Sequence, residues 1–525
     1  MYRPLTGIGL LLAAMAMALM SSACSSPSGS AAGDEGGDVD TTAATSSSVE
    51  RSASTADVEL GSDEYGPAPV VPEGPLDPPL VADLDLVFSD LTAGFDFEAM
   101  RRIGSSGDPR VAWLISDLLR FLQGGESGAV LVESFQELTG ATIEDDFAWG
   151  AVTNHLIAWD TPAPPEYVRW KRIPFEIIEP AWEPFFSDPD AGFDYRHLSW
   201  GGVLIDDRPL HVSYIPCPRG CIAAMTEPPT TDAAGGDWYD DDQIVFGVVV
   251  NGEARAYPKN QMEVHEMVND SLGGRRVAIP YCTLCGSAQA YFTDELDDIE
   301  GLDIGVDAGR YEIRTSGLLS RSNKVMFELQ TRSAFDTFTG KAVSGPLREA
   351  GVHLPEITVE TARWGDWKRE YPETTIVTST GVLGSPYPSD PLGGRDDEGP
   401  IFPIGTVDSR LETQAAVLGV VLGDGTAIAF DVEATISAID DGDAVEFEGV
   451  VVTRGAGLRA HLLDGTELSV HQAFWFAWSQ FHDTLLWDGR PKSGSAKPQS
   501  QVTESRAALS ELMAWMVVTC SGRLC

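Results

Sequence analysis

Two hydrophobic patterns divide the chain into a helical part and a β-rich part. After Asp108-Pro109, a typical helix start, apolar residues recur at helical spacing at Val111, Leu114, Ile115, Leu118, Leu119 and Leu122. Gly124-Gly125 and Gly140 are expected to end this helix and the next one. A third helix is predicted through Trp149 and Leu156. We therefore predict a mostly helical segment over residues 81–205.

From about Asp206 the pattern changes to short β-branched runs separated by turn residues. Ile244–Val250 is followed by Asn251-Gly252. Much later in the chain, Val417–Leu422 is followed, after Gly423, by Asp424-Gly425. Asn-Gly or Asp-Gly between two such runs is the strongest short-range hairpin signal. We predict two hairpins, each closed by a two-residue turn whose residues both have positive φ.

The two hairpins are also followed by similar sequence motifs, which indicates an internal duplication. Each is followed well downstream by a Trp-x-x-Trp, at Trp364–Trp367 and Trp475–Trp478. The alternative is two unrelated hairpins that use the same turn chemistry. We predict an α+β, β-rich fold in which the helical segment precedes two related β-rich modules. They span residues 206–395 and 396–490, and a C-terminal helix and tail follow over 491–525.

The start of the chain predicts export. An apolar stretch of about 13 residues precedes Ser21-Ser22-Ala23-Cys24, which is typical of a secretory signal. Small residues ending in Cys resemble a bacterial lipobox, so residues 1–24 are predicted to be a lipoprotein signal with lipidation at Cys24. The alternative is an ordinary cleaved signal with an incidental Cys. Residues 25–80 are rich in Ser, Gly, Ala and Pro and predict a disordered tether. The expected location is extracytoplasmic, with the membrane contacted through the lipid.

The net charge of the chain limits the classes of molecule that it can bind. The chain has 80 acidic residues against 35 Lys and Arg, a net charge of −45. Such a charge repels phosphate backbones, so nucleic acid is excluded as a partner. Protein partners are not indicated by the sequence.

Several motifs carry a family resemblance. They include Gly252–Pro258 (GEARAYP), His265–Asp270 (HEMVND), Tyr281–Ala288 (YCTLCGSA) and Phe474–Trp478 (FWFAW). With these motifs the chain resembles the exported bacterial and archaeal proteins catalogued as domain of unknown function 3179, over roughly residues 195–490. The resemblance implies export and frequent lipid anchoring, and it supplies no activity, substrate or cofactor.

The cysteines that follow Cys24 fall into three close pairs, and such pairs outside the cytoplasm favour disulfides. The pairs are Cys217–Cys221, Cys282–Cys285 and Cys520–Cys525. The first and third are expected to be structural clips.

The Cys282–Cys285 pair has three open interpretations: a structural disulfide, a redox dithiol or part of a metal site. With His265 the two thiolates would suit Zn²⁺ or Cu(I). A closed zinc site needs a fourth ligand, for which the candidates are His211, His353, Glu266 and Asp270.

The second module lacks this cluster, so we predict one reactive pocket, in the first module. His265 is expected about 3 to 5 Å from a sulfur, with Arg255 supplying positive charge; the alternative is a buried histidine bonded to a backbone carbonyl. The leading hypothesis is a metal-binding or thiol-redox protein of the cell envelope. An enzyme of unknown reaction, with Glu266 or Asp270 as acid or base, and a structural or partner-binding module are the alternatives.

Overall fold

The structure is a computed structural model that describes residues 64–210, 217, 219–299, 311–396 and 399–490. The predicted signal with Cys24, the predicted C-terminal helix and the Cys520–Cys525 pair lie outside these residues. The helices are α1 (Pro78–Phe88), α2 (Phe97–Gly104), α3 (Ala112–Leu119), α4 (Gly125–Thr139), α5 (Ala148–Ala158), α6 (Tyr167–Ile178), α7 (Glu183–Ser187), α8 (Lys259–His265), α9 (Gly345–Glu349), α10 (Trp364–Glu370), α11 (Val432–Asp440) and α12 (Trp475–Phe481).

The strands are β1 (Leu198–Trp200), β2 (Met225–Thr226), β3 (Thr230–Asp232), β4 (Ile244–Val250), β5 (Glu253–Pro258), β6 (Met267–Leu272), β7 (Arg275–Cys282), β8 (Ser287–Ala288), β9 (Ala290–Phe292), β10 (Ile313–Ser320), β11 (Asn323–Glu328), β12 (Ala334–Asp336), β13 (Glu356–Ile357), β14 (Glu360–Arg363), β15 (Thr375–Val377), β16 (Ala416–Val421), β17 (Ala427–Asp431), β18 (Val445–Phe447), β19 (Val450–Arg454), β20 (Leu458–Leu462), β21 (Glu467–Leu468), β22 (His471–Phe474) and β23 (Thr484–Trp487). The fold class is therefore α+β, with helices preceding a β-rich region, as predicted. No helix among the described residues is both long and apolar enough to cross a bilayer.

The helical segment forms where the capping signals predicted it. Asp108 accepts the Arg110 N–H at the start of the 3₁₀ turn that leads into α3, and Gly140 ends α4 with a left-handed φ of 77°. The segment begins earlier than predicted. The Trp159 indole donates to Gly66 O at 3.1 Å and Leu76 is buried, so residues from 66 onward pack on the helices instead of belonging to the tether.

The two β-rich modules repeat one topology. In the first, the sheet order is β14-β4-β5-β15-β3, with β4 and β5 antiparallel and β15 parallel to β5. In the second, the order is β22-β16-β17-β23, with β16 and β17 antiparallel and β23 parallel to β17. A Trp-x-x-Trp helix, α10 or α12, connects the outer strand to the parallel strand in each case. The shared pairing supports the predicted duplication over two unrelated hairpins.

The predicted turns differ between the modules. Asn251 and Gly252 have φ of 49° and 84°, and Val250 pairs directly with Glu253, so this is the two-residue turn that was predicted. In the second hairpin Gly425 has φ 88° but Asp424 does not have a positive φ. Gly425 N–H donates to Leu422 O and Leu422 N–H donates to Thr426 O. The prediction for Asp424 was wrong because Gly423 lengthens the loop, and only its last residue is left-handed.

The first module carries a second sheet that holds the cysteine motif. Its order is β13-β9-β7-β6-β2, with the short β8 paired to the end of β7. A four-stranded sheet, β1-β10-β11-β12, lies next to it. The end of β7 contacts the second module, because Cys282 and Cys285 belong to one apolar cluster with Trp475 and Trp478.

Candidate functional site

The cysteine motif lies where β7 ends and the chain reverses. Cys282 is the last residue of β7, Thr283–Cys285 form a 3₁₀ turn, and Gly286 follows with a left-handed φ of 59°. The reversal pairs Cys282 with Ser287 of β8. Both cysteines point inward: Cys282 is 5% exposed and Cys285 0%.

Cys282 and Cys285 are free thiols in the structure. The disulfide that their close spacing predicted is therefore absent from the structure. Both sulfurs face Ser322 O, which is 3.2 Å from Cys285 Sγ and 3.9 Å from Cys282 Sγ. The pair is a buried dithiol.

The two thiols are electrostatically unequal. Burial and the Glu266 carboxylate raise the pKa of Cys282, but the hydrogen bond from Cys285, the Lys324 ammonium and the Lys324 N–H lower it, and the net direction is down. Burial and the adjacent Cys282 sulfur raise the pKa of Cys285 well above its ordinary value. Cys282 is thus the thiol of the pair that ionises more readily, and Cys285 is its hydrogen-bond donor.

Lys324 is the cation of this site. The buried Lys324 Nζ donates to Glu266 O at 2.7 Å and to Tyr281 O at 3.0 Å, and it pairs with Glu266 Oε2 at 2.8 Å. Thr283 donates its hydroxyl proton to Glu266 Oε1 at 3.1 Å. Lys324 therefore fixes both chain segments that flank the dithiol. Its role was not predicted from the sequence, although a lysine directly before the apolar run of β11 was a usable signal.

Arg255 and Asp270, predicted for the same pocket, form a separate ion pair. Arg255 donates to Asp270 Oδ2 at 2.7 Å and to Glu253 at 2.9 Å, and the Tyr257 hydroxyl donates to Asp270 at 2.8 Å. The pair joins β5 to β6. Arg255 does not supply the positive charge at the thiols, because its guanidinium is engaged by these carboxylates.

His265 is the buried histidine of the alternative interpretation. Its Nδ1 lies 2.6 Å from Ala223 O and its Nε2 lies 2.7 Å from the Tyr387 hydroxyl oxygen. Burial lowers its pKa to about 4, so the ring is neutral at pH 7. Its two ring nitrogens are taken by groups from other segments of the chain.

The predicted metal site is not assembled. Among the described residues, the group of three whose candidate ligand atoms lie within 4.8 Å of one another is Asp206, Cys217 and Cys221. Cys282, Cys285 and His265 form no such group, so the Zn²⁺ or Cu(I) set was wrong. As for the fourth-ligand candidates, His353 lies near the surface with Nε2 at 2.7 Å from Thr339 O, Glu266 and Asp270 are ion-paired, and His211 lies outside the described residues.

Cys217 and Cys221 are joined by a disulfide, as their spacing predicts. Asp206, beside them, is bound by Arg208 at 2.6 Å and by Arg314 at 3.0 Å. Disulfide sulfurs are not thiolate ligands, and the carboxylate is already neutralised. The fit to a metal is poor, and this group is a structural clip on a buried ion network.

A cavity of about 360 Å³ is lined among others by Arg321, Phe476, Ser479 and Gln480. Ser322 connects this cavity with the dithiol. Its hydroxyl donates to Gln480 Oε1 at 3.2 Å, and its carbonyl oxygen lies 3.2 Å from Cys285 Sγ.

Comparison with known proteins identifies the region that contains these features. No curated protein and no solved structure matches the chain. Residues 219–462 match the family described as "Protein of unknown function (DUF3179)". The matched range covers the dithiol, Lys324 and Glu266, and the resemblance found from the motifs is confirmed. Over residues 219–462, the chain is therefore similar to the DUF3179 family.

Proposed function

We propose that this protein is a thiol–disulfide exchange protein in which Cys282 is the nucleophile and Cys285 the resolving thiol. The observation that carries the proposal is the pair of free, mutually hydrogen-bonded thiols with opposite pKa shifts beside a buried lysine. A purely structural cysteine pair needs no thiolate, and a low pKa is what makes a thiol reactive at neutral pH.

The exchange balances in two steps. The Cys282 thiolate attacks one sulfur of a substrate disulfide, forms a mixed disulfide and releases the other sulfur as a thiolate. Cys285 then loses its proton and attacks the Cys282 sulfur, which closes the Cys282–Cys285 disulfide and releases the second substrate thiolate. Two electrons pass to the substrate, and the two released thiolates take one proton from Cys285 and one from water.

Lys324 and Glu266 act on this chemistry without taking part in bond formation. The Lys324 ammonium stabilises the Cys282 thiolate, and its bonds to the carbonyls of Glu266 and Tyr281 hold the turn in place. Glu266, fixed by Lys324 and Thr283, is a positioning residue and not a free base.

The cellular setting belongs to the same proposal. We infer an exported protein anchored by a lipid on Cys24, supported by the signal-like residues 1–24 and by the Cys217–Cys221 disulfide, a bond typical of oxidising compartments. Outside the cytoplasm, the redox state of the dithiol would be set by the disulfides and thiols that react with it there.

The test is a reaction of the reduced full-length chain with bis-hydroxyethyl disulfide, followed by peptide mapping. The wild type should lose two hydrogens at Cys282–Cys285. The Cys285→Ser variant should retain a mixed disulfide on Cys282, and Cys282→Ser should not react at Cys285. The Cys217→Ser/Cys221→Ser double variant is the matched control and should still react. Thiols that react only after unfolding would overturn the proposal.

A further inference from the structure

Three parts of the molecule meet at the cavity beside the dithiol. Ile157 and Ala158 come from α5, Arg321 from the turn between β10 and β11, and Ser479 and Gln480 from α12. At about 360 Å³ its volume falls in the range that small-molecule ligands occupy. It is lined by polar and apolar groups together, as a specific site requires.

Arg321 gives the cavity its charge. Among the residues that the structure describes, no carboxylate lies within ion-pair distance of its guanidinium, although acids outnumber bases by 80 to 35 in the chain. The nearby carboxylates are already paired: Asp160 and Asp194 with Arg196, and Asp408 of the cavity wall with Arg410. Asp194 and Asp160 act on Arg321 only at longer range, so among the described residues no carboxylate occupies the hydrogen-bond donors of its guanidinium.

The backbone of Arg321 is held in an unfavourable conformation. Its φ is 54°, in the left-handed region that a residue with a long side chain seldom adopts, and its N–H donates to His197 O at 2.8 Å. Residues kept in such conformations are concentrated at binding sites, where the surrounding structure compensates for the strain.

Ser322 links the cavity to the thiols. Ser322 follows Arg321, and it bonds Cys285 on one side and Gln480 of the cavity wall on the other. Because Cys282 and Cys285 are at most 5% exposed, a protein disulfide cannot reach them without large movement. A small molecule in the cavity is separated from Cys285 by Gln480 and Ser322.

We propose that this cavity binds a low-molecular-weight disulfide that carries a carboxylate, with the carboxylate on Arg321 and the sulfurs toward Gln480. Arginine favours carboxylates because its planar fork donates two parallel hydrogen bonds to them. This inference rests on the proposed function for its reaction, but the binding site itself can be tested without it.

The first test compares three substrates of similar size. Dithiodipropionate is anionic, bis-hydroxyethyl disulfide is neutral and cystamine is cationic. The wild type should be oxidised by dithiodipropionate about tenfold faster than by the neutral disulfide, since a charge-assisted hydrogen bond contributes that much. Cystamine should be the slowest.

Arg321→Asn removes the charge, and asparagine tolerates positive φ. The variant should lose the preference for dithiodipropionate over the neutral disulfide. The matched control is Arg332→Asn, at another arginine with positive φ (56°) outside the cavity lining, and it should keep the preference. Equal rates with the anionic and neutral disulfides in the wild type would overturn the proposal.

The second test separates binding from exchange. In the Cys282→Ser/Cys285→Ser chain no exchange occurs, and titration calorimetry measures dithiodipropionate binding alone. Binding that is weakened about tenfold by Arg321→Asn supports the site, even if the wild-type dithiol proves unreactive and the proposed function fails. A reactive wild-type dithiol without dithiodipropionate binding would refute this inference and leave the proposed function standing.

Discussion

The indole of Trp367 lies directly over Gly247, so a Cβ added at Gly247 would stand 2.2 Å from the ring. The second module repeats the contact between Trp478 and Gly419, at 2.1 Å. In both modules the indole N–H donates to a threonine hydroxyl, Thr374 or Thr484, near the start of the parallel strand. The glycine and the tryptophan are therefore one packing unit that occurs twice.

Alanine at either glycine should destabilise its module. We expect Gly247→Ala and Gly419→Ala each to lower the free energy of unfolding by about 2 kcal/mol, because the buried ring must move to admit a methyl group. Gly423→Ala is the control, since nothing lies within 4 Å of its Cβ position. Urea unfolding measures all three. Unchanged stability in either variant would mean that its ring repacks at no cost.

Removing the hydrogen bond between the thiols should raise the pKa of Cys282. The Cys285→Ala variant lacks the donor that lowers this pKa, whereas Cys285→Ser keeps a hydroxyl donor in its place. Thiolate absorbance followed against pH should therefore titrate higher in the alanine variant and close to the wild type in the serine variant. Identical titrations of the two variants would contradict the assignment of Cys285 as donor.

Replacing Lys324 should affect both reactivity and stability. Lys324→Gln removes the cation that lowers the pKa of Cys282 and leaves the partly buried Glu266 without its cationic partner. We expect slower alkylation of Cys282 at neutral pH and a loss of about 3 kcal/mol in the free energy of unfolding. Lys341→Gln, at an exposed lysine, should change neither. If alkylation of Cys282 is as fast as in the wild type, Lys324 does not stabilise the thiolate.

Burial of His265 should make stability depend on pH. Its pKa is about 4 in the folded chain against 6.5 ordinarily, so the unfolded chain binds the proton more readily. Its contribution is complete above pH 6.5 and is lost as the pH falls toward 4, with a slope of about 1.4 kcal/mol per pH unit.

His265→Gln can keep both hydrogen bonds but cannot titrate, so its unfolding free energy should fall less steeply with decreasing pH than that of the wild type. Unfolding in urea at a series of pH values gives the slope. His461→Gln, at a partly exposed histidine, is the control for the substitution itself. Parallel curves for His265→Gln and the wild type would show that His265 is protonated equally in both states.

Lipid anchoring should depend on Cys24. The Cys24→Ala variant is expected to move from the detergent-rich to the aqueous phase in a detergent partition, because it lacks the acyl chains. The Cys217→Ser/Cys221→Ser variant, which keeps Cys24, should stay in the detergent phase. Wild-type protein found in the aqueous phase would refute the anchor.

Local signals predicted the fold well because they depend on neighbouring residues. The Asp108 start, the Gly140 end and the Asn251-Gly252 turn each act within a few positions. The second turn failed for a local reason as well: Gly423 adds one residue, and the choice of turn depends on loop length.

The site was predicted only in part because its contacts join distant segments. Lys324 reaches Glu266 across 58 positions, and His265 meets Tyr387 across 122. Sequence proximity suggested Arg255 and His265 as neighbours of the thiols, whereas Arg255 forms an ion pair with Asp270 of another sheet and His265 is buried beside Ala223. The spacing of Cys282 and Cys285 identified the reactive pair and could not show its oxidation state.

The contact between Gly286 and the Phe474 ring, 3.0 Å from a Cβ at that glycine, has an evolutionary consequence. A duplicated copy without reactive groups would ordinarily be free to drift. Here Phe474 of the second copy packs against the cysteine turn of the first. Selection on the cysteine turn therefore also constrains the second copy. In an alignment of relatives, substitutions at Phe474 and at the positions flanking Cys285 should therefore covary, and loss of the cysteines should release both.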